Sequence, residues 1–402
     1  MSASRALDTA RGCALAALFL VVACGGPQGG ASDADRSSPP SSGATTTGAE
    51  LPDDRTVPPR SGDFGPSAPD GDGPSTPPEG EPESIPMPFR GVNLAGAEFG
   101  DVIPGSEGRD YRWPTSSEVD YFVGKGMNTF RVGFKWERLQ PTAYGELTAP
   151  YLAKLDALVG YATSKGAWVV LNPHNFARYY GVLVGSADVP AAAFADLWRR
   201  LALRYGDNPR VMFNLVNEPN NMRTEQWVTS ANAAIAAIRA AGAGNVIHVP
   251  GNGWTGAHSW ASNYYGTPNA QAMLDIVDPA DNLLFEVHQY LDPDSGGKSD
   301  QCISKTIGRE RLAGFVDWLR ATGRKGFVGE LAGGDNPTCN AAIEDMLASM
   351  MEASDVLVGW LWWAAGPAWR KNYPFSLHPE NGQDKPQMKL LAPHLVATKS
   401  TL

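Results

Sequence analysis

Residues 85–402 predict an α/β fold, a single (β/α)8 or TIM barrel, and three observations predict it. Eight short apolar runs alternate with amphipathic helical stretches over about 318 residues, the pattern of parallel strands joined by helical crossovers. Polar and aromatic residues follow each run in phase, as expected where a barrel gathers its functional groups at the C-terminal ends of its strands. No glycine-rich phosphate loop follows the first run, which argues against the competing fold, a doubly wound open sheet.

The candidate strands are residues 89–95, 129–134, 167–171, 211–216, 246–249, 283–287, 326–329 and 357–362. Each is rich in β-branched or aromatic residues and bounded by turn formers. Helical periodicity occupies 151–164, 191–205, 225–241, 309–322 and 341–353, while the link 251–281 is long, loop-rich and without a clear helix. The first strand leads to Asn93 and Glu98, and the second carries Arg131. The third is followed by Asn172-Pro-His-Asn175, the fourth by Asn217-Glu218 and the fifth by Asn252-Gly-Trp254. The sixth leads to His288-Gln-Tyr290, the seventh to Glu330 and the eighth to Trp362-Trp363.

The segments before residue 85 differ in kind. Arg5 and Arg11 precede an apolar run from Cys13 to Ala23, too short to span a bilayer and typical of an export signal. The run ends Val21-Val22-Ala23-Cys24, which resembles a lipobox, so residues 1–24 are expected to be a signal peptide with Cys24 lipidated. Ordinary cleavage nearby is the alternative. Residues 25–84 are mostly Gly, Pro, Ser, Thr, Asp and Glu, too poor in large apolar groups to offset ordering entropy, and are expected to be a disordered linker. Such a linker spans roughly 40–50 Å end to end and would hold a domain clear of a membrane. The protein is therefore expected to be exported, either anchored as a bacterial lipoprotein or secreted, and to act as a monomer.

Charge follows the same division. Residues 32–83 hold eleven acidic and three basic residues, so most of the net charge of −10 belongs to the linker. The nearly neutral remainder offers no basic stripe, which disfavours nucleic-acid binding. Of four cysteines, Cys13 and Cys24 lie in the leader, and Cys302 and Cys339 most simply form one disulfide in an exported domain. No Cys/His cluster has metal-ligand spacing, and no catalytic metal is expected.

Glu218 and Glu330 carry the chemistry. Each ends an apolar strand, where a carboxylate is costly unless paired or put to use. Two of them at equivalent barrel positions fit glycoside hydrolysis, in which one acid protonates the leaving oxygen and one carboxylate attacks the anomeric carbon. Glu218 suits the acid/base and Glu330 the nucleophile. Arg131 and Tyr290 are candidates to hold Glu330 ionised, and His288, two residues before Tyr290 on an extended segment, to orient the acid or contact substrate. Asn217 offers an amide to a sugar hydroxyl. His174 and Asn175 extend the polar set, and Trp363 offers a face to a pyranose ring while Trp362 points into the packing. Trp254, Trp260 and Tyr179 are candidates either for stacking sugars in flanking subsites or for loop packing.

These stretches together resemble glycoside hydrolase family 5, in its endo-β-1,4-glucanase (cellulase) branch. The resemblance rests on Gly91-Val-Asn-Leu-Ala-Gly96, Thr129-Phe-Arg-Val132, Asn172-Pro-His-Asn-Phe-Ala-Arg-Tyr-Tyr-Gly181, Asn217-Glu-Pro219, Gly251-Asn-Gly-Trp-Thr-Gly-Ala257, Val287-His-Gln-Tyr-Leu-Asp292, Gly329-Glu330 and Trp363-Ala-Ala-Gly-Pro367. It implies a retaining mechanism, no cofactor, a β-glucan substrate (cellulose or a soluble glucan), Glu218 as acid/base and Glu330 as nucleophile. Arg131, His174, Asn217, His288, Tyr290 and Trp363 would be their supporting shell. The chain departs from the family pattern at Leu331, directly after the nucleophile, and at Ala368, where a second aromatic is expected. A β-mannanase or mixed-linkage glucanase on the same scaffold is the alternative within enzymes. A polysaccharide-binding protein without turnover is the alternative outside them.

Overall fold

The computed structural model describes residues 87–395. The expected leader, with Cys24, and the expected linker lie outside the described residues. Eight parallel strands close a barrel: β1 (Phe89–Leu94), β2 (Thr129–Phe134), β3 (Trp168–Pro173), β4 (Val211–Asn214), β5 (Ile247–Pro250), β6 (Leu283–Tyr290), β7 (Gly326–Ala332) and β8 (Leu357–Ala365). Each strand pairs with its sequence neighbours, and β8 closes on β1. The long crossover helices are α1 (Ser116–Gly124), α2 (Ala149–Ser164), α3 (Ala191–Tyr205), α4 (Thr224–Ala240), α5 (Ile307–Thr322) and α6 (Pro337–Glu352). Between β5 and β6 only the short turns Ala257–Ser259, Asn269–Ala272 and Met273–Asp275 occur, in keeping with the missing periodicity there.

Local chemistry sets the helix ends. Thr115 and Glu118 form a reciprocal capping box at the start of α1. Asn336 accepts the Cys339 N–H ahead of α6, with Pro337 in its first turn. α5 stops at Gly323, whose φ of 65° favours glycine. Six tryptophans (Trp136, Trp198, Trp227, Trp260, Trp360 and Trp362) are among the largest fully buried side chains, so much of the tryptophan supply fills the layer between strands and helices. Among the described residues no helix is long and apolar enough to cross a membrane.

β6, β7 and β8 each run three residues beyond their predicted ends. The polar residues that interrupt the apolar runs are thus strand residues facing the barrel interior, rather than loop residues. β7 also carries one residue more than its neighbours. Val287 and His288 of β6 pair with Val328 and Glu330, while Trp360 and Trp362 of β8 pair with Val328 and Leu331. This is a β-bulge at Gly329–Glu330, and it reverses the inward–outward alternation at that point.

Cys302 and Cys339 form a disulfide with Cα atoms 5.2 Å apart, closing a sequence separation of 37. It ties the loop after β6 to the first turn of α6. In that loop Asp292 accepts the N–H groups of Gly297, Lys298 and Ser299. Closure of a loop this long stabilises by about 3–4 kcal/mol through the unfolded chain. The paired substitution Cys302→Ser with Cys339→Ser is expected to lower the unfolding free energy of the barrel by about that amount, measured by denaturant titration, with the far-ultraviolet circular dichroism unchanged.

Candidate active site

The barrel interior is layered. Leu284, Phe327 and Leu361, with Phe89 packed against them, form an apolar cluster separate from the main core, toward the N-terminal ends of the strands. Nearer the C-terminal ends the interior turns charged. Arg131, His248 and Glu286 are each at most 1 % exposed, an unusual filling for a barrel layer that is normally aliphatic. Gly329 makes room for this layer, since a Cβ there would lie 2.5 Å from Cδ of Glu286.

Arg131 reaches from β2 across this layer. Its Nε donates to Asn214 (3.2 Å), Nη1 to Asn93 (2.9 Å) and Glu330 Oε1 (2.8 Å), and Nη2 to Asn217 (2.7 Å). Nη2 also lies 3.5 Å from Glu286. Glu330 faces inward because of the bulge: Phe327 and Gly329 already face the interior, so simple alternation would send Glu330 outward. Its second oxygen accepts from the Tyr290 hydroxyl at 2.5 Å. Glu218 follows β4 with φ of 42°, a left-handed conformation that costs a non-glycine residue about 1–3 kcal/mol and recurs at functional sites. Its Oε1 lies 2.7 Å from His288 Nδ1.

The two carboxylates are neighbours. One ligand-type atom from each of Glu218, His288 and Glu330 lies within 4.8 Å of the other two. Such a trio has the spacing to ligate a cation. However, these groups already hydrogen-bond or ion-pair with one another and with Tyr290 and Arg131, and Arg131 supplies a fixed positive charge beside Glu330.

The electrostatics follow from dryness and charge count. Burial pushes the Glu330 carboxyl above its ordinary value and Glu218 adds to this, while His288, Arg131 and the Tyr290 hydroxyl pull the other way. Burial works against a charged His288, yet Glu330, Glu218 and Glu286 around it raise it to about 9, so the ring is cationic at neutral pH and its Nδ1–H donates to Glu218. Burial also disfavours the charge of Glu286, but Arg131, His248 and His288 outweigh it and hold that carboxyl well below the usual range. Burial keeps the Tyr290 hydroxyl protonated and hence a donor. Burial, with Arg131 and His288 nearby, holds His174 neutral. The His174 Nδ1 lies 3.0 Å from the Asn172 amide nitrogen, so it accepts there and Nε2–H is the free donor.

Aromatic side chains form the walls. Trp363 is half-buried, stacks on His174 (centroids 5.5 Å apart, 26° between planes) and donates from Nε1 to Tyr373. Trp369 meets Trp363 edge-on, stacks on Tyr373 at 4.0 Å and takes the edge of Phe99. An aromatic surface thus persists despite Ala368. Trp362 is buried and donates to the Phe375 carbonyl. Trp254, 47 % exposed, stands by Phe176.

The structure therefore brings together Arg131, His174, Asn217, Glu218, His288, Tyr290, Glu330 and Trp363, with Trp254 at the rim. It does not bring Asn175. That side chain is buried, its Oδ1 accepting Trp136 N–H at 2.8 Å and its Nδ2 donating to Glu137 at 2.6 Å, so both amide atoms are engaged in holding the loop after β3. Trp260 is 2 % exposed against Phe315 and Trp318, and Tyr179 is buried on Trp136 with its hydroxyl on the Gln140 carbonyl. Both belong to packing.

Several site residues were not singled out from sequence. Glu286 and His248 are joined at 2.8 Å beneath the pair. A signal for Glu286 exists, because it alternates with His288 and Tyr290 on β6 and so shares their face. Asn214 and the Trp369–Tyr373 stack carried no local signal. Glu98 is noted above only as a strand-end residue. Burial pushes its carboxyl up to about 7 against a hydrogen bond from Gly96 N–H, and it lines a recess with Asn172, His174 and Trp363.

Comparison with known proteins identifies the family. The family model described as cellulase (glycosyl hydrolase family 5) matches residues 86–366. Endo-beta-1,4-glucanase B of Aspergillus niger is 43% identical over 293 residues, 73% of this chain and 85% of that protein. The crystal structure of an endo-beta-1,4-glucanase from Xanthomonas axonopodis pv. citri is 47% identical with a TM-score of 0.75, covering 76% of this chain and 98% of that one. XacCel5A in complex with cellopentaose is 47% identical with a TM-score of 0.76, covering 77% and 99%. With its barrel, its strand-end glutamates and the family match over most of its folded length, this chain belongs to glycosyl hydrolase family 5.

Proposed function

We propose that the chain is a retaining endo-β-1,4-glucanase, a glycoside hydrolase acting on internal bonds of cellulose or soluble β-glucan, with Glu330 as nucleophile and Glu218 as acid/base. The observation that carries this reading is the pair itself. An oxygen of each carboxyl lies within 4.8 Å of the other, which favours the narrow carboxyl separation of about 5–5.5 Å used in retention over the wider one used in inversion.

The geometry supports a double displacement. In the first step Glu330, activated by hydrogen bonds from Arg131 and Tyr290, attacks the anomeric carbon as Glu218 gives its proton to the departing oxygen. A glycosyl ester on Glu330 results. In the second step Glu218 takes a proton from water, whose oxygen attacks the same carbon and releases Glu330. The buried Nδ2 of Asn217 has no protein partner and stands beside Glu218, ready to donate to a sugar hydroxyl. Trp363 gives the ring a face, and His174 offers its Nε2–H.

Residues 1–24 are read as an export signal with lipidation at Cys24, 25–84 as a tether, and 85–402 as the catalytic domain, which would act as a monomer outside the cell. The relatives named as endoglucanases support the glucan substrate.

Glu218→Gln is expected to lower kcat on carboxymethylcellulose by about 10²–10⁴-fold, and Glu330→Gln by at least as much, with both proteins folded by circular dichroism. Reducing-sugar release near the wild-type rate from either would sink the assignment. On parallel samples of carboxymethylcellulose, mixed-linkage glucan, glucomannan, mannan and xylan, the glucans should be hydrolysed fastest. Faster release from mannan would overturn the substrate class.

The nucleophile must be ionised, and burial raises the pH at which it ionises, so activity falls as pH drops through that raised value. Tyr290→Phe removes a donor that favours the anion, worth about 1.5–3 kcal/mol for a charged acceptor. The acidic limb of kcat/KM should therefore move to higher pH by about one to two units. A limb that stays in place, or moves down, contradicts the role given to Tyr290.

Membrane partitioning tests the anchor: Cys24→Ser should move the protein from the membrane fraction to the soluble fraction. Unchanged partitioning would remove lipidation from the reading.

A further inference from the structure

Glu286 is the one fully buried acid in the barrel interior that the double displacement leaves without a task. It touches no solvent and lies a layer below the cleft, so it meets no substrate. Its oxygens are divided. Oε2 lies 2.8 Å from His248 Nδ1, and Oε1 lies 3.4 Å from His288 Nε2 and 3.5 Å from Arg131 Nη2. The opposite nitrogen of His288, Nδ1, lies 2.7 Å from Glu218 Oε1. A single imidazole therefore links a carboxyl buried beneath to one at the cleft, with Glu330 Oε2 3.4 Å from the same Nδ1.

We propose that Glu286 is a positioning residue for the acid/base: by accepting the Nε2–H of His288 it keeps that ring cationic and donating through Nδ1 to Oε1 of Glu218, leaving Oε2 as the oxygen that gives and takes the catalytic proton. This inference rests on the assignment of Glu218 as acid/base.

The role of Glu286 lies in what the ring does without it. Arg131 on β2, His174 after β3, Glu218 after β4, His248 on β5 and Glu330 on β7 surround His288, with Glu286 and Tyr290 on its own strand. Glu98 after β1 and Tyr373 beyond β8 interact electrostatically with Glu330, and Lys135 after β2 with His174. Arg131 is a fixed cation that repels a charged imidazole, so the ring stays charged only because the anions outweigh it. Remove the charge of Glu286 and Arg131 faces the ring with one anion fewer. The ring then gives up a proton at lower pH. If Nε2–H is retained against the neutral amide of a glutamine, the bare nitrogen is Nδ1, which turns from donor to acceptor. Glu218 must then aim its own proton at Nδ1 through Oε1, away from the glycosidic oxygen. The carboxyl is intact but its proton is held in the wrong place, as when an imidazole between an acid and a reacting group takes the wrong tautomer.

The test compares two substrates. Cellopentaose has a leaving group that must be protonated, whereas 2,4-dinitrophenyl β-cellobioside has one that departs without an acid, and kcat/KM reports the glycosylation step in both. In Glu286→Gln the loss of kcat/KM should be roughly tenfold or more greater on cellopentaose than on the aryl glycoside. Glu218→Gln serves as the control. If it shows no such difference, the acid/base reading itself fails. If it does and Glu286→Gln shows equal losses on both substrates, only the anchoring role fails. The second readout is nitrogen-15 NMR of the histidine rings, of which the chain has six, with His288 assigned from His288→Gln. Wild-type His288 should be protonated at both nitrogens at neutral pH and keep Nε2–H as the charge is lost near pH 9, and the Glu286→Gln ring should lose its charge at lower pH. A wild-type ring whose Nε2 is bare overturns the proposal even if the variant does not fold, and so does an unchanged titration in a folded variant.

Discussion

The structure depends first on the Arg131 guanidinium, buried across the barrel and touching groups from four strands or strand ends. Asn93 belongs to β1, Asn214 and Asn217 to the end of β4, Glu286 to β6 and Glu330 to β7. A cation 1 % exposed has a large desolvation cost, and it is tolerated here because its donors meet acceptors in a planar fork that only arginine supplies. The consequence runs in both directions. The acceptors fix the guanidinium, and the guanidinium fixes Glu330 and the asparagine beside Glu218. The two glutamates, 112 residues apart in sequence, are placed relative to each other largely through one side chain.

The two glutamates sit close together in different surroundings. Arg131 and cationic His288 stand against Glu286 and Glu330 in the dry interior. Burial pushes Glu330 toward its neutral form, and the nearby Glu218 carboxyl adds to that push. The proposed roles of Glu218 as acid and Glu330 as anion fit their neighbours. Glu330 has the guanidinium and the tyrosine hydroxyl, while Glu218 has only the imidazole on its inner side and opens to the cleft on the other.

The fold was readable because its signals are local and repeated. The eight apolar runs begin within two residues of the strands, and of the two crossovers given no helix from sequence, the link 251–281 holds only short turns while the first holds α1. The site was readable where strand-end position alone decides, as at Arg131, Asn217, Glu218, His288, Tyr290 and Trp363. It was not readable where a side chain's partner is set by tertiary structure. Asn175 stands one residue from His174 in a polar run, yet its amide caps the Trp136 backbone and Glu137. Trp260 sits in a glycine-rich loop, yet that loop folds back so that the indole fills the core against α5. Composition cannot distinguish a loop tryptophan that faces a cleft from one that plugs a helix–strand gap.

Glu330 shows how far alternation alone can mislead. Counting from Phe327, which faces the apolar cluster inside the barrel, strict period-2 geometry places Val328 outside, Gly329 inside and Glu330 outside. The extra residue in β7 relative to both neighbouring strands reverses that last step. The same stretch needs Gly329 free of a Cβ so that Glu286 fits beneath. One stretch therefore serves two layers: the inserted residue turns Glu330 toward the cleft, and Gly329 leaves space for Glu286. Glu218 is turned by another local device, a left-handed backbone at φ 42°. Neither conformation is one that an unconstrained glutamate adopts readily, and each is held by strand pairing or by contacts with Arg131, Tyr290 and His288. A pair oriented this rigidly before substrate arrives needs little reorganisation as charge develops in the transition state. Glu330 lies on β7 and Glu218 just beyond β4, while the aromatic wall joins Trp363 of β8 to Trp369 and Tyr373 in the loop after it.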